Sequence, residues 1–178
     1  IRSGGSNYEG FSIDDGLFII DISNLNRINI NYENNTVTAE GGALLGQLYN
    51  FLGANGYPFP GASSPTVGIA ALTLGGGWGY SSRYLGLCCD SLVEAKLVNY
   101  EGSLITANKD TNSDLFWALK GCGGGNFGIV VSLTFNLPPK VDLVTNFNIY
   151  YSNINKDNQI KFLDTWQHWI TNAPDKIN

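Results

Sequence analysis

Residues 113–130 read Ser-Asp-Leu-Phe-Trp-Ala-Leu-Lys-Gly-Cys-Gly-Gly-Gly-Asn-Phe-Gly-Ile-Val, a helix pattern and a strand pattern joined by a glycine loop. The first part has apolar residues at helical spacing, and Asn112 or Ser113 can cap its first turn. The β-branched run 129–137 predicts a strand that ends at a double proline. Five of the eight residues between helix and strand are glycine, so the backbone there can approach a neighbouring group closely.

The glycine loop also matches a nucleotide-binding spacing. Residues 123–128 satisfy G-x-G-x-x-G, the fingerprint of Rossmann domains. That fingerprint must follow a strand and open a helix, because the helix N-terminus faces the phosphates. Here it follows a helix and opens a strand, and this context excludes a Rossmann site.

The remaining sequence predicts strands that come in hairpins, with single helices between them. Because strand-helix-strand units are absent from the pattern, it indicates an α+β fold rather than a doubly wound sheet. Pro138-Pro139 is the predicted domain boundary, and the roughly 40 residues beyond it are too few for an independent core. The predicted strands are 17–22, 28–32, 36–40, 92–99, 103–107, 129–137 and 143–151, and the predicted helices are 44–52, 113–120 and 156–170.

Composition excludes several classes of protein. The 178 residues are 43% hydrophobic and 14% charged, which favours a packed core over disorder. A net charge of −5 with no basic stripe argues against nucleic-acid partners, and no run of about 20 apolar residues predicts a membrane span. Three cysteines and one histidine fit neither a zinc site nor a disulfide framework, so no metal is expected. With no Met at position 1, we expect the sequence to be part of a longer chain.

Glycine accounts for 22 residues and is clustered. Consecutive glycines let backbone N–H groups converge on an anion, and a pyrophosphate is the usual anion bound in this way. The alternative is that the glycines only make turns. The clusters are named here the first loop (residues 2–7), the second loop (61–68), the third loop (75–79) and the fourth loop (121–128).

Four segments, taken in order, resemble the FAD-binding domain of the FAD-linked oxidases, of the vanillyl-alcohol-oxidase or PCMH type, and within it the berberine-bridge-enzyme-like branch. They are Arg-Ser-Gly-Gly-Ser-Asn-Tyr-Glu-Gly (2–10), Pro-Gly-Ala-Ser-Ser-Pro-Thr-Val-Gly (60–68), Gly-Gly-Gly-Trp-Gly-Tyr-Ser-Ser-Arg-Tyr-Leu-Gly-Leu (75–87) and the segment quoted above. The resemblance implies an α+β PCMH-type domain over residues 1–140, with a mixed or antiparallel sheet and flanking helices and an incomplete N-terminus. Residues 141–178 would begin a substrate domain.

The resemblance also implies roles for individual positions. The segment Ser3–Tyr8 would wrap the FAD pyrophosphate with backbone amides. Thr66–Gly68 would lie along the flavin and ribityl chain, with the third loop continuing that wall, and Ile129 would lie near the adenine. The predicted cofactor-binding residues are Arg2, Ser3, Gly4, Gly5, Ser6, Asn7, Tyr8, Gly61, Ser64, Thr66, Val67, Gly68, Gly75, Gly76 and Ile129.

Three positions bear on mechanism. Where the family usually has a His and a Cys bonded to the flavin, this sequence has Ser6 and Ser64. A serine hydroxyl is a poor nucleophile beside a thiol, so we predict noncovalent FAD. Val67 occupies the position that gates O₂ in this branch, and valine there favours an oxidase.

The resulting hypothesis is an FAD-dependent oxidoreductase, specifically an oxidase that moves a hydride from an alcohol, sugar or amine to FAD and the electrons then to O₂. The expected partners are a small-molecule substrate and O₂, with neither nucleic acid nor membrane. The catalytic base is expected beyond residue 178. Two alternatives stay open: a non-catalytic remnant of an FAD domain, and a flavoprotein like the peptidoglycan-precursor reductase, which carries a similar Gly-Gly-Ser-Asn loop.

Overall fold

The computed structural model describes residues 1–152 and 155–177, in which five strands and five α-helices are joined by loops. A single 3₁₀ turn, Cys88–Ser91, precedes the third strand. The strands are β1 (Ile28–Asn31), β2 (Thr36–Glu40), β3 (Leu92–Val98), β4 (Leu104–Asn108) and β5 (Ile129–Asn136); the helices are α1 (Leu45–Ala54), α2 (Ile69–Leu74), α3 (Ser82–Leu85), α4 (Ser113–Ala118) and α5 (Lys156–Asn172).

The strands form one antiparallel sheet in the order β1-β2-β5-β3-β4. Both predicted hairpins are present, and β5 lies between them, so that Leu133 faces Ala39 on one side and Ala95 on the other. The predicted α+β class with an antiparallel sheet is confirmed. β5, the strand that follows the fourth loop, is thus the central strand of the sheet.

The core lies between one face of the sheet and the helices α1 and α2. Alternate residues of β2 are buried, as a strand with one covered face requires. Phe135 of β5 is fully buried and meets Phe59 edge to face, with 5.2 Å between ring centroids. Each such buried aromatic or aliphatic side chain contributes about 1.5–3 kcal/mol. The fully buried side chains facing this core are Val37, Ala39, Leu45, Leu48, Leu52, Ala95, Leu97, Leu133 and Phe135.

Glycine and side-chain amides set the limits of α1. The Leu44 N–H donates to Gln47 Oε1 at 2.9 Å where the helix begins. At its end Asn55 Nδ2 donates to the Phe51 carbonyl at 2.8 Å, and Gly56 follows with φ of +80°. A left-handed glycine just past the last turn is a common helix stop. The predicted helix 44–52 is therefore confirmed, with its end two residues later.

Helix α4 begins at Ser113, as predicted, and Asn112 is its cap residue. Asn112 has φ of +48° and does not cap through its side chain; its Nδ2 donates instead to the Thr106 carbonyl at 2.7 Å. The side chain therefore ties the helix start to β4 rather than to its own first turn.

Two predicted strands are wrong. Residues 17–21 are exposed and lie outside the sheet; Asp21 forms only an isolated parallel bridge to Arg2, and Ile22 alone is buried. Residues 143–151 are likewise exposed and form no strand. A strand needs a neighbour to satisfy its backbone N–H and C=O groups, and neither segment has one along its length in the described chain. Both sequences have strand propensity, but tertiary pairing decides whether it is used.

Helix α2 was not predicted from the sequence. Its six residues, Ile-Ala-Ala-Leu-Thr-Leu, are too short and too uniformly apolar to show a period. The Thr73 hydroxyl is fully buried, donates to the Ile69 carbonyl at 2.8 Å and lies 3.3 Å from Cys88 Sγ. Cys88 and Cys89 are both buried.

Candidate functional site

The first loop is fixed to the end of β2 and to residues 20–22. The Arg2 N–H donates to the Ile20 carbonyl at 2.8 Å, and the Arg2 guanidinium contacts Asp21 at 2.6 Å. Ser3 Oγ donates to the Gly41 carbonyl at 2.7 Å. Hydrogen bonds from Ser23, followed by the one from Arg2, lower the pKa of Asp21 to about 2, so its carboxylate is charged at neutral pH.

The first and second loops touch through two glycines. A Cβ on Gly4 would overlap the backbone N of Gly68. A Cβ on Gly68 would lie 2.5 Å from Ser3 Oγ and 2.6 Å from the Gly4 nitrogen. No side chain fits between these backbones. Glycine at both positions is therefore required by close approach and not only by turn formation.

The second loop is held by α1. The Leu45 N–H donates to the Val67 carbonyl and the Ile69 N–H to the Ala43 carbonyl, both at 2.9 Å. Tyr49 of α1 donates its hydroxyl to the Ala62 carbonyl at 2.6 Å. These bonds keep the second loop rigid next to the first.

The third loop leaves the far end of α2. The Gly76 N–H donates to the Thr73 carbonyl at 3.0 Å, and the Cys88 N–H donates to the Gly77 carbonyl at 2.8 Å. A Cβ on Gly79 would overlap the Gly61 carbonyl, so the third loop also packs directly on the second. The predicted residues Gly61, Gly75 and Gly76 are thus parts of one wall.

The fourth loop docks on α2 as well. The Gly123 N–H donates to the Leu74 carbonyl at 2.7 Å, and Gly124 lies against Ala71. Its last residue, Gly128, has φ of +145°, and a Cβ there would overlap the Val98 carbonyl. Three of the four loops therefore adjoin α2, and the first loop reaches it through Gly68.

The first loop has two features of an anion nest, namely unpaired backbone N–H groups and a left-handed glycine among them. In the described chain the N–H groups of Gly4, Gly5 and Ser6 donate no hydrogen bond to another residue. Gly5 has φ of +70°, and its α-carbon faces the Arg2 side chain, with Nε 3.4 Å from where a Cβ would stand. Successive free N–H groups around a left-handed glycine, beside a guanidinium, are a donor set suited to phosphate oxygens. The residues present fit the diphosphate of a dinucleotide.

The structure separates the predicted site residues into two groups. Ser3, Gly4, Thr66, Val67 and Gly68 lie together where the first two loops meet. Of the others, Asn7 uses its Oδ1 to accept the N–H groups of Glu9 and Phe11, which is turn chemistry, and Tyr8 is fully exposed. Ile129 is half-buried at the start of β5 opposite Val98.

Gly41 was not predicted to belong to this site, and Gly79 and Gly123, although within the third and fourth loops, were not among the predicted cofactor-binding residues. Gly41 receives the Ser3 hydroxyl, and a Cβ on it would overlap the Val130 carbonyl. The sequence feature that could have identified Gly41 is the Gly41-Gly42 pair directly after a predicted strand. Within residues 1–152 and 155–177, no group of three or more His, Cys, Asp or Glu residues is placed to hold a metal ion. No helix in those ranges has the length and apolarity to cross a membrane.

Comparison with known proteins identifies the family. A family model described as an FAD binding domain matches residues 1–108, more than half of the chain. The chain belongs to this FAD-binding family. The recognition made from the glycine loops is thereby confirmed.

The related proteins agree with this family assignment. The FAD-linked oxidoreductase YgaK of Bacillus subtilis is 39% identical over 99% of this chain and 39% of its own length. Xylooligosaccharide oxidase of Thermothelomyces thermophilus is 35% identical over 99% of this chain and 36% of its own length. The structure of berberine-bridge-enzyme-like 1 of Physcomitrella patens superposes with a TM-score of 0.74 at 39% identity, covering 77% of this chain and 30% of that one. The chain thus spans less than two fifths of each of these proteins.

Proposed function

We propose that the protein is an FAD-dependent oxidase that removes two electrons and two protons from an alcohol, sugar or amine and reduces O₂ to H₂O₂. The observation that carries the proposal is the nest of free N–H groups at Gly4–Ser6, packed through Gly68 against the second loop. Bound FAD would supply the redox chemistry, and the four loops would bind and orient it. Relatives named as oxidoreductases and an oxidase support the same class of reaction.

We propose further that the FAD is held without a covalent bond. Ser6 is exposed, and Ser64 Oγ lies 3.1 Å from Thr66 Oγ1. Because a serine hydroxyl is a poor nucleophile, we expect neither side chain to form a bond to the flavin ring. Retention then depends on backbone N–H groups and on the close packing of the loops.

Acid precipitation of the purified full-length protein tests the attachment. We expect the yellow flavin to stay in the supernatant. A yellow pellet would show a covalent link and overturn this part of the proposal. Protein that carries no flavin absorption band, and gains none when FAD is added, would favour the non-catalytic alternative instead.

The choice of oxidase rests on Val67, which is half-buried in the second loop with its carbonyl fixed by the Leu45 N–H. The side chain is small, and the resemblance assigns it to the path of O₂. We expect substrate-reduced protein to reoxidise rapidly in air with one H₂O₂ per substrate. Slow reoxidation in air, with fast reoxidation by an artificial acceptor, would make the protein a dehydrogenase.

A further inference from the structure

The hydrogen bonds between segment 142–177 and the rest of the described chain come from Arg83 of α3. Its Nη1 donates to the Ile170 carbonyl at 2.6 Å, and its Nη2 donates to the Ala173 carbonyl at 2.7 Å. Within residues 1–152 and 155–177, these are the hydrogen bonds that join residues beyond 141 to the domain before them. α5 is otherwise exposed, including its aromatic residues Trp166 and Trp169.

One acceptor, the Ile170 carbonyl, lies in the last turn of α5; the other, the Ala173 carbonyl, belongs to the extended residue that follows the helix. Carbonyls in the last turn of a helix have no partner inside it, and they carry the negative end of the helix dipole. A planar guanidinium can donate to two carbonyl oxygens at once, which a lysine ammonium cannot do with the same geometry. The Arg83 side chain is only 25% exposed, so these bonds are partly shielded from water.

Other polar contacts nearby are weaker. Arg83 Nε is 3.8 Å from Asp175 Oδ1, and that carboxylate is 80% exposed. Lys176 Nζ is 5.6 Å from the centre of the ring of Tyr84, the residue after Arg83 in α3. Exposed ion pairs contribute little because water and salt screen them. The two backbone carbonyls are therefore the dominant attachment.

Arg83 is also coupled to the candidate flavin site. Its helix follows the third loop directly, and the Gly79 N–H donates to Ser82 Oγ at 2.9 Å where α3 begins. Gly79 in turn packs on the Gly61 carbonyl of the second loop. The side chain that holds α5 thus projects from the same rigid unit that forms one wall of the site.

We infer that Arg83 is a positioning residue that docks α5 onto the FAD-binding domain from the wall of the candidate site. It fixes where the segment after residue 141 lies relative to the loops. The inference rests on the contacts of Arg83 and does not require FAD to be bound.

Amide hydrogen exchange of the full-length protein tests the inference, in the absence of FAD and at a pH where all variants are folded. In Arg83→Ala we expect exchange of peptides within 166–177 to rise on the order of ten-fold, because local opening of α5 no longer breaks two charge-assisted bonds. In Arg83→Lys we expect an intermediate rise, since one ammonium can serve one carbonyl well.

Two variants serve as matched controls. Asp175→Asn removes the exposed ion pair and leaves both carbonyl bonds. Arg27→Ala removes an arginine that is 80% exposed and paired with Glu40 at the β1-β2 hairpin. We expect neither to change exchange in 166–177 by more than two-fold.

The inference is overturned if Arg83→Ala exchanges like Arg27→Ala in 166–177, or if Asp175→Asn reproduces its effect. A uniform rise across the whole chain, with no excess in 166–177, would also overturn it, since Arg83 would then act on global stability alone. Flavin binding is measured separately, so a failure of this inference and a failure of the proposed function give different results.

Discussion

At the scale of single residues, the thiol of Cys88 shows how burial determines chemistry. The side chain is fully buried beside Thr73, and burial raises its pKa to about 12. Cys122, by contrast, is exposed. The neutral thiol of Cys88 therefore acts as a small apolar side chain of the core at physiological pH.

The raised pKa of Cys88 predicts a loss of stability in alkali. Its folded pKa of about 12 lies above the ordinary value of 9, so the stabilising contribution is complete below pH 9 and is lost as pH rises towards 12. At pH 10 ionisation in the unfolded chain should lower the free energy of unfolding by about 1 kcal/mol. Urea titrations at pH 7 and pH 10 measure this, and Cys88→Ala should show a shallower decline; equal declines would contradict the assignment.

Gly4 supports a second prediction at this scale. Because a Cβ on Gly4 would overlap the Gly68 nitrogen, Gly4→Ala should separate the first loop from the second and weaken FAD binding at least ten-fold, or about 1.4 kcal/mol. Titration of flavin-free full-length protein with FAD, followed by fluorescence, provides the measurement. Gly53→Ala, where nothing lies within 4 Å, is the matched control and should bind FAD as the original protein does.

Misfolding of Gly4→Ala would be detected by its circular dichroism and melting temperature. In that event Ser3→Ala, which removes only the bond that anchors the first loop to the Gly41 carbonyl, tests whether the position of the first loop matters for FAD. Unchanged affinity in a folded Gly4→Ala would show that the contact between the loops is irrelevant to FAD, and unchanged affinity in Ser3→Ala would show the same for the anchor to Gly41.

At the scale of elements, α2 organises the candidate site although it has only six residues. The second loop enters it and the third loop leaves it, while the fourth loop bonds to its last carbonyl at Leu74. Loops without regular structure of their own thus gain fixed positions from one short helix packed in the core.

Helix α1 gives the prediction for this scale, because a glycine inside it and a glycine just past its end should respond in opposite directions. Gly53 lies within the helix with open space at its Cβ, so Gly53→Ala should stabilise the fold by about 0.5–1 kcal/mol. Gly56 has φ of +80°, so Gly56→Ala should destabilise it by about 1 kcal/mol. Thermal or urea unfolding measures both, and shifts of the same sign would contradict the assigned end of α1.

At the scale of the whole molecule, exposed apolar side chains are concentrated in two regions. One is residues 8–20, with Phe11 and Phe18 81% and 103% exposed, and the other is residues 143–151 together with α5. Monomeric soluble proteins rarely expose apolar patches of this extent. The domain boundary at residues 140/141 stays a prediction.

We therefore expect residues 1–178, expressed by themselves, to self-associate and to bind an apolar dye strongly, whereas the full-length protein should do neither to the same degree. Light scattering after gel filtration and dye fluorescence provide the measurements. A dye-silent monomer at high concentration would show that these side chains are shielded in solution.

The sequence by itself determined the elements whose signals are local. The period of α1, the hairpin patterns around residues 33–35 and 100–102, and the strand after the fourth loop all depend on neighbours within a few residues. The glycine loops were also recognisable, because their residue types and order are family-specific whatever their surroundings. A site that is encoded in short segments can therefore be recognised from the sequence alone.

Only the tertiary structure decided the rest. Residues 17–22 and 143–151 have strand composition and no strand, because pairing partners lie elsewhere in space and no local pattern reports them. Gly4 contacts Gly68, which is 64 residues away in the sequence, and Arg83 contacts the end of α5, which is at least 87 residues away. Such contacts exist only once the sheet has brought the loops together. Local propensity depends on the chain alone, whereas close approach depends on which surfaces the folded core places side by side.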